Sequence, residues 1–274
     1  MMMGNNNEAR SGTFGAHVLA ASFFLGFGVF FLVLDLQRAR ACLERGESFC
    51  KLHVPEKNRA LLRRAGLVLF TVSMTGVLLD GVVAFLYLRN FFFQLLHQTL
   101  YLSFGFVGFI AYLESKRRLP LDSSRVALAI ALLLFHLVMS AHAKMKPGST
   151  DAALHAVMAN LCLVHALIYA FSVWNPKSLV AYVMTHALLV VQGVWLVTLG
   201  SFECCMDIPL HLVETLFSLE LLTVFAAIVV TAITVLPPLE DEDGAAPSEH
   251  KNGPNSEEYA QLVPAASVLV DDSV

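Results

Sequence analysis

Charge is what this chain lacks most. Only 15% of its 274 residues are charged, against about a quarter in an ordinary soluble domain. Too few charges remain to clothe a water-facing surface, which excludes a soluble globular protein of this length. Cysteine is also sparse: five residues are too few for a disulfide scaffold. The net charge of −4 lacks the basic excess of a nucleic-acid binder. Compact metal signatures such as His-Glu-x-x-His are missing, and no internal repeat of the transporter kind is visible.

What is present is apolar and unevenly spread. The hydrophobic share is 57% and the mean hydropathy +0.66. Charge collects in short stretches separated by long uncharged runs, the pattern of membrane spans. A helix needs about 20 apolar residues to cross a hydrocarbon core of about 30 Å. Seven runs qualify: Phe14–Leu36, Ala65–Leu88, Phe91–Leu113, Val126–Ala143, Ala152–Val173, Ser178–Gly200 and Pro209–Leu236. The first exceeds a signal-peptide core of about 7–15 residues, and no small-residue cleavage site follows it. It is therefore expected to be retained as a span. The expected fold is an all-α bundle of seven transmembrane helices, spanning 14–236 after a short polar segment, 1–13.

Lys and Arg in the connecting segments set the expected orientation. With the N-terminus outside or lumenal, the inner segments hold fourteen basic residues and the outer ones four. Inversion would put Arg63-Arg64 and Lys116-Arg117-Arg118 on the wrong side. The C-terminal tail, 237–274, is then cytosolic. Its acidic run Glu240-Asp241-Glu242-Asp243 is followed by Pro, Gly, Ser and Asn, a composition expected to stay disordered. Tyr259-Ala260-Gln261-Leu262 in that tail has the form of a tyrosine-based sorting signal, with Tyr259 and Leu262 as anchors for a sorting adaptor. Asp272-Ser273-Val274 has a weaker likeness to a PDZ ligand.

Several local strings carry a family likeness. They are Gly15-Ala16-His17 leading to Ser22-Phe23-Phe24-Leu25, then His97-Gln98-Thr99-Leu100-Tyr101-Leu102, then Gln192-Gly193-Val194-Trp195. In order and spacing, from about Gly12 to Gly200, the chain resembles the transmembrane protein 45 family, which includes the transmembrane epididymal protein. The resemblance implies a multi-pass membrane protein of about this length and no particular reaction. The chain departs from the family where members carry a Glu in the fourth span and a His-x-His pair at its outer end. Phe135 and His136 stand where that Glu would be, His142 matches the first His, and Lys144 replaces the second. His155 matches a family His at the start of the fifth span.

Ionisable groups within spans are functional candidates, because each is costly to insert. Alternating span direction collects His17, Asp80, His97, His142, His155, His211 and Glu214 in the outer half. Imidazole and carboxylate are zinc ligands, so the set His97, Asp80, His142, His155 and His211 is a candidate metal site. Zinc there would point to a metal-dependent lipid hydrolase. The plainer reading is that residues near span ends reach interfacial water, and that polar groups between helices only hydrogen-bond across the bundle. Mid-depth His136, His165, Gln192 and Glu220 are the groups a proton-coupled carrier would use.

The expectation is a multi-pass protein without an assigned biochemical activity, acting through partners rather than as an enzyme. It is expected to need no cofactor unless zinc binds. Its partners are the lipid bilayer and sorting adaptors, with no nucleic acid, and its place is the Golgi-type endomembrane system or the plasma membrane.

Overall fold

A computed structural model describes residues 6–44, 56–87, 91–145, 147–205 and 208–236, with side chains described outside 6–16, 56–58, 80, 83–87, 91–97 and 203–205. Among the described residues the protein is entirely helical. The helices are α1 (Asn6–Glu44), α2 (Glu56–Tyr87), α3 (Phe91–Ser115), α4 (Ser123–Met145), α5 (Thr150–Trp174), α6 (Leu179–Cys205) and α7 (Val213–Val235), with a 3₁₀ turn (Leu210–Leu212) leading into α7. Each expected span falls within one helix to within a few residues.

Six of these helices are long and apolar enough, over their described residues, to cross a membrane. The remaining one, α3, has 25 residues, about 37 Å at 1.5 Å per residue. Large apolar side chains face outward along the bundle: Leu78, Leu222, Val180 and Ile233 are 67–72% exposed. Aliphatic surface this extensive is a lipid-facing surface rather than a water-facing one. The chain is thus a multi-pass membrane protein.

The helices outrun the apolar segments at the water side. α1 already begins at Asn6, inside the segment expected to precede the first span, and continues beyond Leu36 to Glu44. Hydropathy marks only the part of a helix that lies in hydrocarbon, and neither Pro nor Gly interrupts 29–44. Ion pairs support the extension: Arg38 reaches Asp35 at 3.2 Å and Arg40 reaches Glu44 at 2.7 Å, at spacings that place partners on one face. α2 likewise begins at Glu56. The expected tail, with Tyr259 and Leu262, lies outside the described residues.

Local chemistry fixes the turns. Between α3 and α4 the chain reverses through Arg117 and Asp122, whose φ angles of 57° and 68° are left-handed. The Glu114 carboxylate spans this turn, accepting the backbone N–H of Asp122 at 2.9 Å and of Ser124 at 2.8 Å. It thereby satisfies donors at the start of α4. Ser149 caps α5, its Oγ accepting from the Ala152 N–H at 3.1 Å.

The closest helix pairs are α1 with α6, α2 with α3, and α4 with α5, while α5 joins α6 and α3 joins α4. Glycine permits two of these approaches. A Cβ on Gly108 would lie 2.6 Å from the Phe70 nitrogen and 2.7 Å from the Gly66 carbonyl oxygen, so α2 and α3 touch backbone to backbone. On the other pair, a Cβ on Gly193 would lie 2.9 Å from the Leu25 nitrogen. The two strings Ser22–Leu25 and Gln192–Trp195 therefore meet across α1 and α6. Trp195, fully buried, donates from Nε1 to the Leu154 carbonyl at 3.2 Å and packs edge-on against Phe217. α7 leans on α6, touches α5 and α1, and buries only Val213, Val224 and Ile228.

A polar-ended cavity and a histidine cluster as candidate site

The ring of helices does not close tightly. The described backbones of α1 and of α2 and α3 stay largely apart, and a cavity of about 320 Å³ lies between them, bordered also by α4, α5 and α6. That volume falls in the range of small-molecule pockets. Along α1 its lining runs from His17 to Arg38. Twenty-one residue steps of helix rise about 32 Å, about the thickness of a hydrocarbon core.

The middle of the cavity is apolar and largely aromatic. Phe23, Phe27 and Phe31 follow one another at i,i+4 on α1, with ring centroids 6.4 and 6.1 Å apart. Phe104 and Phe135 face them from α3 and α4. Phe24 ties the three helices together, 5.4 Å from Phe104 and 6.0 Å from Phe135.

One end carries an arginine. Arg125 comes from the first turn of α4 and is 6% exposed. Its guanidinium lies 3.9 Å from the Tyr182 ring centroid and 5.4 Å from that of Tyr169, a cation–π sandwich. Among the described residues its two terminal nitrogens have no hydrogen-bond partner. Close by on α1, Asp35 is 3% exposed, its carboxylate held by Arg38 at 3.2 Å and by His186 Nδ1 at 3.0 Å. Phe31 stacks on His186 at 5.4 Å, so the aromatic ladder of α1 ends on this pair.

The other end carries histidines. His142, in the last turn of α4, and His155, in the second turn of α5, lie with ring centroids 4.1 Å apart. His155 Nδ1 donates to the Asp151 carbonyl at 2.8 Å and sits 3.0 Å from the Asp151 carboxylate. His142, Asp151 and His155 each offer a ligand atom within 4.8 Å of the others. From α1, His17 presents an edge to His155, with centroids 6.4 Å apart.

The expected metal set is thus rearranged. His142 and His155 come together at neighbouring ends of α4 and α5, and His17 joins them. Asp80 and His97 lie on α2 and α3, but their side chains lie outside the described residues. His211 is exposed on the 3₁₀ turn and is not in the group. α7 packs on α6, α5 and α1 rather than on α4, which holds His211 away from the mouth. The mid-depth residues pair locally. His165 Nδ1 donates to Gln192 Oε1 at 2.9 Å, His136 Nδ1 donates to the Ala159 carbonyl at 2.9 Å, and Thr198 donates to Glu220. None of these lines the cavity.

Asp151, Asp35 and Arg125 escape sequence reasoning. Each sits at a span boundary, where a charge reads as a topology signal. The one available clue is that Asp35 interrupts the apolar run before the basic cluster instead of following it.

The model of a family of unknown function (DUF716) matches residues 121–202, the stretch holding α4, α5 and most of α6 and contributing Arg125, His142, Asp151, His155 and His186. No curated protein matches the chain.

Proposed function

We propose that this protein is a seven-span, non-enzymatic membrane protein that binds a single-chain anionic amphiphile in the cavity. The ligand's carboxylate or phosphate meets Arg125, and its chain lies along the phenylalanine face. The carrying observation is the buried Arg125 guanidinium, whose two terminal nitrogens lack hydrogen-bond partners among the described residues where it borders a largely apolar cavity about 32 Å long. A buried donor without a partner costs about 1–3 kcal/mol, and more for a charged group; an anionic headgroup offsets that cost. Arg is suited to both headgroups, since its planar fork matches either.

The N-terminus lies outside or in the lumen and the tail in the cytosol. This orientation is supported by the fourteen-to-four distribution of basic residues and by the gathering of Arg38 and Arg125 at one end of the cavity. The tail offers Tyr259 and Leu262 to sorting adaptors, and the protein resides in the Golgi-type endomembrane system or the plasma membrane. The match to a family of unknown function over 121–202 is compatible with the likeness to the transmembrane protein 45 family.

Photoactivatable long-chain fatty acid and lysophosphatidic acid probes, applied to membranes containing the full chain, test the binding. Labelling of residues on the phenylalanine face is expected, with at least a tenfold loss in both Arg125→Gln and Phe104→Trp. A neutral fatty alcohol should compete poorly, and the two probes distinguish the headgroups. Unchanged labelling in both variants would sink the proposal.

A second reading, a metal-dependent lipid hydrolase, is favoured by one observation: His142 and His155 border the same cavity and lie beside Asp151. The carrier reading expected a mid-depth polar path and finds no such support, because His136, His165, Gln192 and Glu220 do not line the cavity.

A further inference from the structure

We infer that His142, Asp151 and His155 form a binding site for a divalent transition metal, with zinc as the best chemical match, at the histidine end of the cavity. The inference goes beyond amphiphile binding and holds whether or not a ligand fills the cavity.

Two local features assemble the ligands. Asp151 and His155 stand at i and i+4 on α5, so they share one face. Ser149 sets the register of that first turn through its cap on Ala152, and Thr150 Oγ anchors it by donating to the Ile208 carbonyl at 3.1 Å. His142 arrives from the last turn of α4, across the short turn between the helices. His142 and His155 are 7% and 3% exposed, so their rings are withdrawn from bulk water.

Distances allow closure onto a metal. Zinc holds nitrogen and oxygen ligands at about 2.0–2.2 Å, which in a tetrahedron separates ligand atoms by about 3.3–3.6 Å. One ligand atom from each residue already lies within 4.8 Å of the others, so side-chain rotation without backbone rearrangement brings them to that spacing. The Asp151 carbonyl also supplies an orienting bond. By accepting the proton of His155 Nδ1 it leaves the lone pair on Nε2, the usual support of a ligating imidazole, and the Asp151 carboxylate, 3.0 Å from Nδ1, must rotate toward Nε2 to share the metal.

The donor set selects the ion. Two imidazoles and a carboxylate suit zinc and its first-row neighbours, whereas calcium and magnesium favour all-oxygen shells. Two neutral imidazoles and one carboxylate leave a bound dication with a single net positive charge. Three protein ligands leave a fourth position, which either His17 or a group from the cavity can take.

The test uses tag-free full-length protein, stripped of metal and then titrated with zinc and with cobalt. One equivalent of zinc per chain is expected, with visible cobalt bands of a four-coordinate site. Affinity should fall at least tenfold in Asp151→Asn and in His155→Ala and stay unchanged in His211→Ala. Zinc should raise the thermal midpoint of the wild type and not that of Asp151→Asn, as selective binding to the folded state requires. Should His155→Ala fail to fold, the nearly isosteric Asp151→Asn carries the comparison. Absence of stoichiometric metal in the wild type, or wild-type affinity in Asp151→Asn, overturns the inference.

Discussion

Replacing single glycines with alanine tests the helix packing directly. At Gly108 the added methyl meets only backbone: the Phe70 nitrogen at 2.6 Å, the Gly66 oxygen at 2.7 Å and the Phe70 Cα at 3.1 Å. None of these can rotate away. Ordinary contact begins near 3.4 Å, so α2 and α3 must part by at least 0.8 Å (3.4 minus 2.6). A gap of about 0.5–1 Å forfeits a quarter to a half of each contact's dispersion energy, and overpacking typically costs about 1–3 kcal/mol. Helix propensity returns about 0.8–1.0 kcal/mol for Gly→Ala. The net destabilisation expected is therefore about 0–2 kcal/mol, and about 1–3 kcal/mol relative to an unhindered Gly→Ala change. Gly26 has nothing within 4 Å of its would-be Cβ, and Gly105 meets the Ser73 Cβ at 3.3 Å. Gly26→Ala should be neutral or stabilising, and Gly105→Ala should fall between. Thermal unfolding of the purified variants in one detergent gives the order. Gly66→Ala should resemble Gly108→Ala, and the double variant should cost less than the sum, because one separation relieves both clashes. If Gly108→Ala proves as stable as Gly26→Ala, the backbone contact between α2 and α3 is wrong.

Two further outcomes follow from particular residues. Gln192→Leu should destabilise the protein by about 1–3 kcal/mol, since it removes an interhelical bond and strands a buried nitrogen of His165; a double-mutant cycle with His165→Phe should recover part of that, and strict additivity would contradict the pairing. For the tail, an epitope placed after Val274 should be reached by antibody only in permeabilised cells, and Tyr259→Ala should move the protein to a different compartment; surface labelling of intact cells would reverse the orientation.

The sequence made the helices legible because span length and apolarity are local properties. Depth reasoning also placed His17, His142 and His155 at one end, since it needs only alternating direction. It could not say which helices are neighbours. His211 has the expected depth but sits on the 3₁₀ turn leading into α7, which packs on α6, α5 and α1 rather than on α4, and only the packing order separates it from the cluster. Asp151 and Arg125 stand in boundary segments where charge already has an explanation, so nothing local marks Asp151 as a neighbour of the histidines or Arg125 as a cavity residue. The glycines divide the same way: Gly105 and Gly108 are visible in the sequence as small residues, yet only Gly108 meets a facing backbone, in part through Gly66, on the preceding helix.

The pairing of α1 with α6 also has a consequence for how the protein is made. From the end of α1 at Glu44 to the start of α6 at Leu179 is a stretch of 135 residues. At about 5–20 residues per second a ribosome needs roughly 7–27 s to cover it. Throughout that time the face of α1 bearing Leu25, Gly28 and Asp35 waits in the bilayer for a partner not yet synthesised, with Arg38 the counter-charge already at hand on the same helix. Insertion is therefore early and closure late. A chain altered at Gly193 or His186 would be inserted normally and then fail to close, so the loss would appear as degraded protein in the membrane of synthesis rather than as a weakened protein at its destination.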